Sequence, residues 1–252
     1  MDRVFYQAAS SMMLQQRKLE VASNNIANIK TAGYKPETVA TKSFVQILQG
    51  RLDEDGIYYD NNEIGKRAPA QIVDEVMQYF TQGDIENTGR AFDFAISGEG
   101  YFNIMDEEGN EFYTRNGAFR LDEEGYLAFG NYGRVQGENG DIYLGNDDFL
   151  VSDDGRIFDS ENEVIDRFKI SWCDNVNDLQ RQSNGMFTYA GEDEMYDYQT
   201  TIYQNALEKS TVDLSTEMTR VMAIQSRFTA MSQVLKTINS INESAATQIG
   251  KV

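Results

Sequence analysis

Apolar positions recur every seven residues at both ends of the chain. Near the start, Phe5, Met12, Leu19 and Ile26 form one series, and Ala8, Gln15, Ala22 and Ile29 sit three positions later. Near the end, Leu214, Val221, Phe228, Leu235, Asn242 and Ile249 repeat at the same spacing, accompanied by Ile224, Met231, Ile238 and Ala245. Two apolar positions in seven make the seam of a coiled coil, narrower than the stripe a helix lays on a globular core. Neither run contains Pro or Gly. A narrow-seamed helix has little to bury against alone. The spacing therefore predicts that the first and last helices pair, with further copies of the chain completing the burial. The simpler alternative is that each helix packs on a globular body. Gln15 and Asn242, polar members of the seam, would fix its register. Past Asn28 the chain reaches Gly33 and then Pro36. Gly past a helix end takes the left-handed cap conformation and Pro prevents continuation, so these two residues should redirect the chain.

Between the ends the period shortens. Phe92–Ile96, Tyr101–Met105, Glu111–Thr114, Ala118–Leu121, Tyr126–Phe129, Asp141–Leu144, Phe149–Ser152 and Val164–Trp172 are short apolar or aromatic runs. Turn chemistry separates them: Asp-Glu-Glu-Gly at 106–109 and 122–125, Asp-Asp-Gly at 153–155, Arg-Asn-Gly at 115–117. Asp or Asn starts such a turn and Gly takes the positive φ. The pattern predicts a meander or small barrel of antiparallel strands. The fold class expected is α+β: paired N- and C-terminal coiled-coil helices with a central antiparallel all-β domain. The expected boundaries are 1–33 for the N-terminal helix, 34–90 for an extended connection, 91–190 for the β domain, 191–210 for a return segment and 211–252 for the C-terminal helix.

Charge sharpens this division. The 252 residues carry 22 Lys+Arg against 41 Asp+Glu, a formal net charge of −19. Residues 1–50 have a net charge of +3 and residues 201–252 of +1, so residues 51–200 hold −23. The termini, expected to pack against copies of themselves, avoid the like-charge repulsion a uniformly acidic chain would bring. The overall excess of acid argues against binding a phosphate backbone. No run of about 18 apolar residues is present to cross a membrane, and the first sixteen residues lack the apolar core of a Sec-type signal peptide.

Candidate chemistry is sparse. With no His there is no His-activated nucleophile and no His-liganded metal, and with Cys173 alone there is no intrachain disulfide or thiolate cluster. Calcium loops fail on spacing: Ile57 interrupts Asp53, Asp55 and Gly56, while the loop from Asp60 has Ile64 at position five and Gln71 at twelve. Adjacent carboxylates such as Glu107 and Glu108 on strand-like backbone diverge to opposite faces. Ser97-Gly98-Glu99-Gly100 lacks the third Gly and following helix of a phosphate loop, so it is a tight turn. Cys173 fits a small buried hydrophobe. No catalytic constellation, metal or cofactor is expected.

Four stretches carry a family resemblance. Ala22-Ser23-Asn24-Asn25-Ile26-Ala27-Asn28-Ile29-Lys30-Thr31-Ala32-Gly33-Tyr34-Lys35 resembles the N-terminal signature of bacterial flagellar basal-body rod and hook proteins. Phe94–Phe102 and Tyr113–Phe119 resemble two central motifs of that family, and Leu207–Leu214 resembles the start of its C-terminal segment. Ala206 and Thr211 depart from the usual Gly and Asn. The resemblance implies a structural subunit that leaves the cytoplasm through the flagellar type III export apparatus without signal cleavage. Such subunits stack helically with their terminal helices innermost and pass torque outward, with other rod and hook subunits as partners. Neither nucleic acid nor a small-molecule substrate is implied. The implied assembly interface comprises Phe5, Met12, Leu19, Asn24, Asn25, Ile26, Asn28, Gly33, Leu214, Val221, Ile224, Phe228, Met231, Leu235 and Ile238, with the three asparagines bonding between helices. A hook-type subunit is one alternative. A secreted β-module adhesin with an oligomerising coiled coil is another, though a generic coiled coil has no need of the Asn-rich signature ending in Gly33.

Overall fold

The computed structural model describes residues 2–43, 47–52, 58–67, 71–78, 80–182, 184–191 and 195–249. The expectations placed on Asp53, Asp55, Gly56 and Ile57 lie outside the described residues. The chain forms two compact units. One gathers Met1–Ile26, Glu37–Met77 and Leu214–Val252; the other gathers Ala27–Pro36 and Gln78–Asp213.

The first unit holds two helices, α1 at Asp2–Ala27 and α2 at Leu214–Ile249. At a rise of about 1.5 Å per residue, the 36 residues of α2 extend roughly 54 Å. Its threonines are accommodated by folding back on the helix: the hydroxyls of Thr219, Thr229 and Thr237 donate to the carbonyls four residues earlier at 2.8, 2.9 and 3.0 Å. Glu217 lies in the first turn, where a carboxylate complements the helix dipole, and accepts a 2.6 Å bond from Arg220. On α1, Leu14 and Val21 pack with Val39 of the strand Glu37–Ser43. Asn25 secures the same strand: its amide nitrogen donates to the Glu37 carbonyl at 2.9 Å and its amide oxygen accepts from the Glu37 N–H at 3.0 Å. The segment expected to be an extended connection thus carries strands. Glu37–Ser43 pairs with Gln71–Gln78, and Ile47–Leu52 pairs antiparallel with Tyr58–Arg67.

All strand pairings of the second unit are antiparallel. The largest sheet runs in the order 179–181, 187–189, 111–114, 101–105, 133–137, 127–129 and 120–121. A three-stranded sheet (149–151, 156–159, 164–167) and two ribbons (94–97 with 201–204, 85–87 with 206–208) accompany it. Alternating inward residues build the core around Phe94, Phe102, Ile104, Phe119, Leu127, Ile157 and Phe168. Phe94 and Phe168 have centroids 5.0 Å apart, and Phe102 meets Phe119 edge-on at 5.1 Å.

The acidic turns explain part of the negative charge. Asp106 accepts the N–H groups of Glu108 and Asn110 at 2.9 and 2.8 Å; Asp122 does the same for Glu124 and Tyr126, and Asp159 for Glu161 and Glu163. Each carboxylate closes its own turn, and the side chain and backbone of Asn110 hold Asp106 below the ordinary carboxylate range. Several strands lie outside the runs that the sequence pattern marked, among them Leu179–Arg181, Phe187–Tyr189, Thr201–Gln204 and Ala206–Glu208. Gly133–Gly137 and Arg156–Asp159 carry glycine or charge where alternation is expected, while Val164–Trp172 divides into 164–167 and 170–172.

Candidate functional site

Three segments far apart in sequence meet within the second unit. α1 ends at Ala27, and a turn follows in which the Thr31 N–H donates to the Asn28 carbonyl at 3.1 Å. Gly33 then takes φ +66° and donates its N–H to the carbonyl of Glu208 at 2.8 Å. A Cβ there would stand 2.5 Å from the Arg115 carbonyl, so both the backbone angle and the close approach demand glycine. One residue on, the Thr211 N–H reaches the Tyr34 carbonyl at 3.3 Å, and the Arg181 guanidinium covers the Tyr34 ring at 4.2 Å.

Charge is buried at this meeting point. The Lys35 ammonium pairs with the Glu208 carboxylate and donates to the Thr81 carbonyl at 2.6 Å. The same carboxylate oxygen accepts the Gly83 N–H at 2.7 Å. Arg115 Nη1 stands 3.6 Å from the other Glu208 oxygen, and its guanidinium lies 5.3 Å from the Tyr101 ring centre. Side-chain exposure is 2% for Lys35, 0% for Glu208 and 7% for Arg115. Burial lowers the Lys35 pKa, Glu208 opposes that shift and Arg115 adds to it. One anion thus serves two cations away from water. Such a group fixes the path of 33–35 against 206–208 and 115, because each charge is tolerable only in this arrangement. It is a structural joint: Glu208 pairs with both cations, although Arg115 Nε and Nη1 and the second Glu208 oxygen make no hydrogen bond.

Elsewhere the chemistry is equally quiet. Cys173 is buried, and burial pushes its thiol up to about 11. Among the described residues, no group of three acidic or Cys side chains is placed to hold a metal, and no helix is long and apolar enough to cross a membrane.

The residues expected at the assembly interface fall on both helices and on the joint. On α1, Phe5 is 42% exposed, Met12, Leu19 and Ile26 are half-buried, and the buried positions are Ala8, Leu14, Gln15, Val21, Ala22 and Asn25. The stripe facing the unit's own core is therefore rotated about one position from the Phe5–Ile26 line, because Leu14 and Val21 reach Val39. Asn24 is exposed and Asn28 half-buried, and the two Asn25 bonds to Glu37 join helix to strand. On α2, Ile224 is buried, Val221, Met231, Leu235 and Ile238 are half-buried, and Leu214 and Phe228 are exposed. Val21 and Ala22 of α1, Val39, and Ala223 and Ile224 of α2 line one cleft of about 260 Å³. The residues that periodicity missed are Lys35, Arg115, Glu208, Leu14 and Val21. The first three lie inside the resembling motifs, where a charged residue within a motif was the available signal.

Those motifs also place the chain among known proteins. Residues 95–189 match the model of the flagellar hook protein FlgE/F/G D1 domain, residues 5–35 that of the flagella basal body rod protein, and residues 203–249 that of the flagellar basal body rod FlgEFG protein C-terminal segment. The chain is 31% identical to the flagellar basal-body rod protein FlgG of Bacillus subtilis (strain 168), covering 96% of this chain and 97% of that one. It is 27% identical to the rod protein FlgF of Caulobacter vibrioides over the whole of both chains. Against the hook protein FlgE of Escherichia coli (strain K12), identity is 38%, over 49% of this chain and 27% of the hook protein. The chain belongs to the family of flagellar basal-body rod and hook proteins, structural components of the flagellar axis.

Proposed function

We propose that this chain is a rod subunit that polymerises helically through its terminal helices and forms part of the shaft carrying torque for motility. The supporting observation is the surface of α2. Of its seam residues Ile224 is buried and Val221, Met231, Leu235 and Ile238 are half-buried, while Leu214 and Phe228 are exposed; off the seam, Met218 (52% exposed), Met222 (61%), Val234 (44%) and Ile241 (56%) also remain in water. At about 100° per residue these four fall on the two flanks of the seam. A helix that leaves large apolar side chains in water beside its own buried stripe has surface for a larger assembly to cover. A heterologous contact that does not close a ring builds such a polymer. In this reading the helices pair along Phe5, Met12, Leu19 and Ile26 with Val221, Phe228 and Leu235, while copies of the chain cover the flanks. The acidic β unit lies outside. Neighbouring rod and hook subunits cap the polymer, and the chain reaches it through the flagellar type III export apparatus without loss of a signal peptide. The rod reading is favoured over the hook reading by length, since the rod relatives align from end to end and the hook protein over a quarter of itself.

Val234→Asp and Ile241→Asp test the proposal, because neither residue is buried in the single chain. The purified double variant is expected to keep its circular dichroism and melting temperature while cells carrying it lose swimming and yield incomplete basal bodies. Normal swimming of that variant would remove the helix flanks from the assembly.

A further inference from the structure

The outer face of the three-stranded sheet carries apolar side chains that the fold does not use. Leu150 pairs with Phe158 and Phe158 with Val164, so the three project side by side from one face. Leu150 is 66% exposed and Val164 56%, with Phe158 half-buried between them. Their neighbours Phe149 and Ile157 point the other way, into the core. The ladder sits in an acidic setting. Of the eight carboxylates in residues 147–167, Asp147, Asp148, Asp153, Asp154, Glu161 and Glu163 are exposed, against Arg156 and Arg167. Both arginines are engaged within the unit, Arg156 with Asp154 at 3.1 Å and Arg167 with Glu138 at 3.2 Å.

We infer that this face docks a different protein, one whose contact presents apolar side chains inside a rim of Lys and Arg. An apolar centre with a charged rim is the composition of a protein interface, and the sign of the rim selects the partner. The β region of a second copy is the wrong partner: residues 78–200 carry −19, so a second copy brings charge of the same sign to this face. This contact lies in the β unit and is independent of polymerisation through the helices.

The test places a photo-reactive benzoylphenylalanine at position 150 or 164 of the full chain in flagellated cells, with position 107, on a separate acidic turn, as control. Adducts are identified by mass spectrometry of their peptides. Positions 150 and 164 are expected to capture one chain other than this one, at an apolar peptide flanked by Lys or Arg, and position 107 to capture none of it. In a Glu163→Lys, Glu161→Lys background the yield is expected to fall about fivefold. Capture only of another copy of this chain, no adduct at either position, equal capture from position 107, or a yield untouched by charge reversal would each overturn the inference.

Discussion

Glu208→Ala is expected to destabilise the second unit by about 3–5 kcal/mol, the usual cost of breaking a buried ion pair from one side. For a unit of this size that corresponds to a fall in melting temperature on the order of 10 °C. The variant leaves Lys35 and Arg115, two cations almost without solvent contact, facing one another with no anion between them. It also strips the Gly83 N–H of its acceptor. Glu208→Gln keeps an acceptor for Gly83 and removes only the charge, so it should fall between wild type and alanine. Lys209 supplies the contrast one residue away. Its 2.9 Å pair with Glu86 is more than half exposed on both sides, so Lys209→Ala should cost well under 1 kcal/mol. Thermal unfolding of the three variants checks the order. Equal losses for Glu208→Ala and Lys209→Ala would mean that the joint is no more than surface electrostatics.

Deleting residues 1–30 is expected to abolish assembly and swimming while leaving the β unit folded. The deletion removes Leu14 and Val21, and with them the cover over Val39 in the first unit. The second unit keeps Gly33, Lys35 and the whole aromatic core from Phe94 to Ile202. Tryptophan fluorescence reads the outcome, because the one Trp, Trp172, stacks on Tyr101 at 5.9 Å in that unit and should report an unchanged unfolding transition. Filaments or motility surviving the deletion would detach assembly from the helices.

Much of this molecule is written in local pattern. The two helices announced themselves by period, and Tyr101–Met105 and Glu111–Thr114 emerged with the bounds their residues suggested, because alternation and Asp-Gly turns are short-range signals. Gly133–Gly137 was hidden because its glycine is demanded by a neighbour: a Cβ at Gly133 would stand 2.3 Å from the Met105 carbonyl. The joint was hidden for a different reason. Lys35, Arg115 and Glu208 each look like surface charges in their own stretch, and only the fold, which brings positions 173 residues apart into contact, makes them interior. The buried stripe of α1 was displaced likewise by a tertiary partner, Val39. The heptad line marks where the helix is apolar, and the unit's own strand decides which part of that surface it covers. Part of the acidity of the middle, opaque as a net charge, lies in turns that each need a carboxylate, and part in exposed carboxylates of the turns that join the strands carrying Leu150 and Val164.

We propose that the terminal helices form the inside of a helical polymer. A density map of the purified basal body, into which this chain is fitted, tests it most directly. The expected result is α1 and α2 in the innermost layer, with Met218, Met222, Val234 and Ile241 against neighbouring subunits and the β unit outermost. Helices on the outer surface, or those four side chains facing open solvent in the assembled rod, would contradict it.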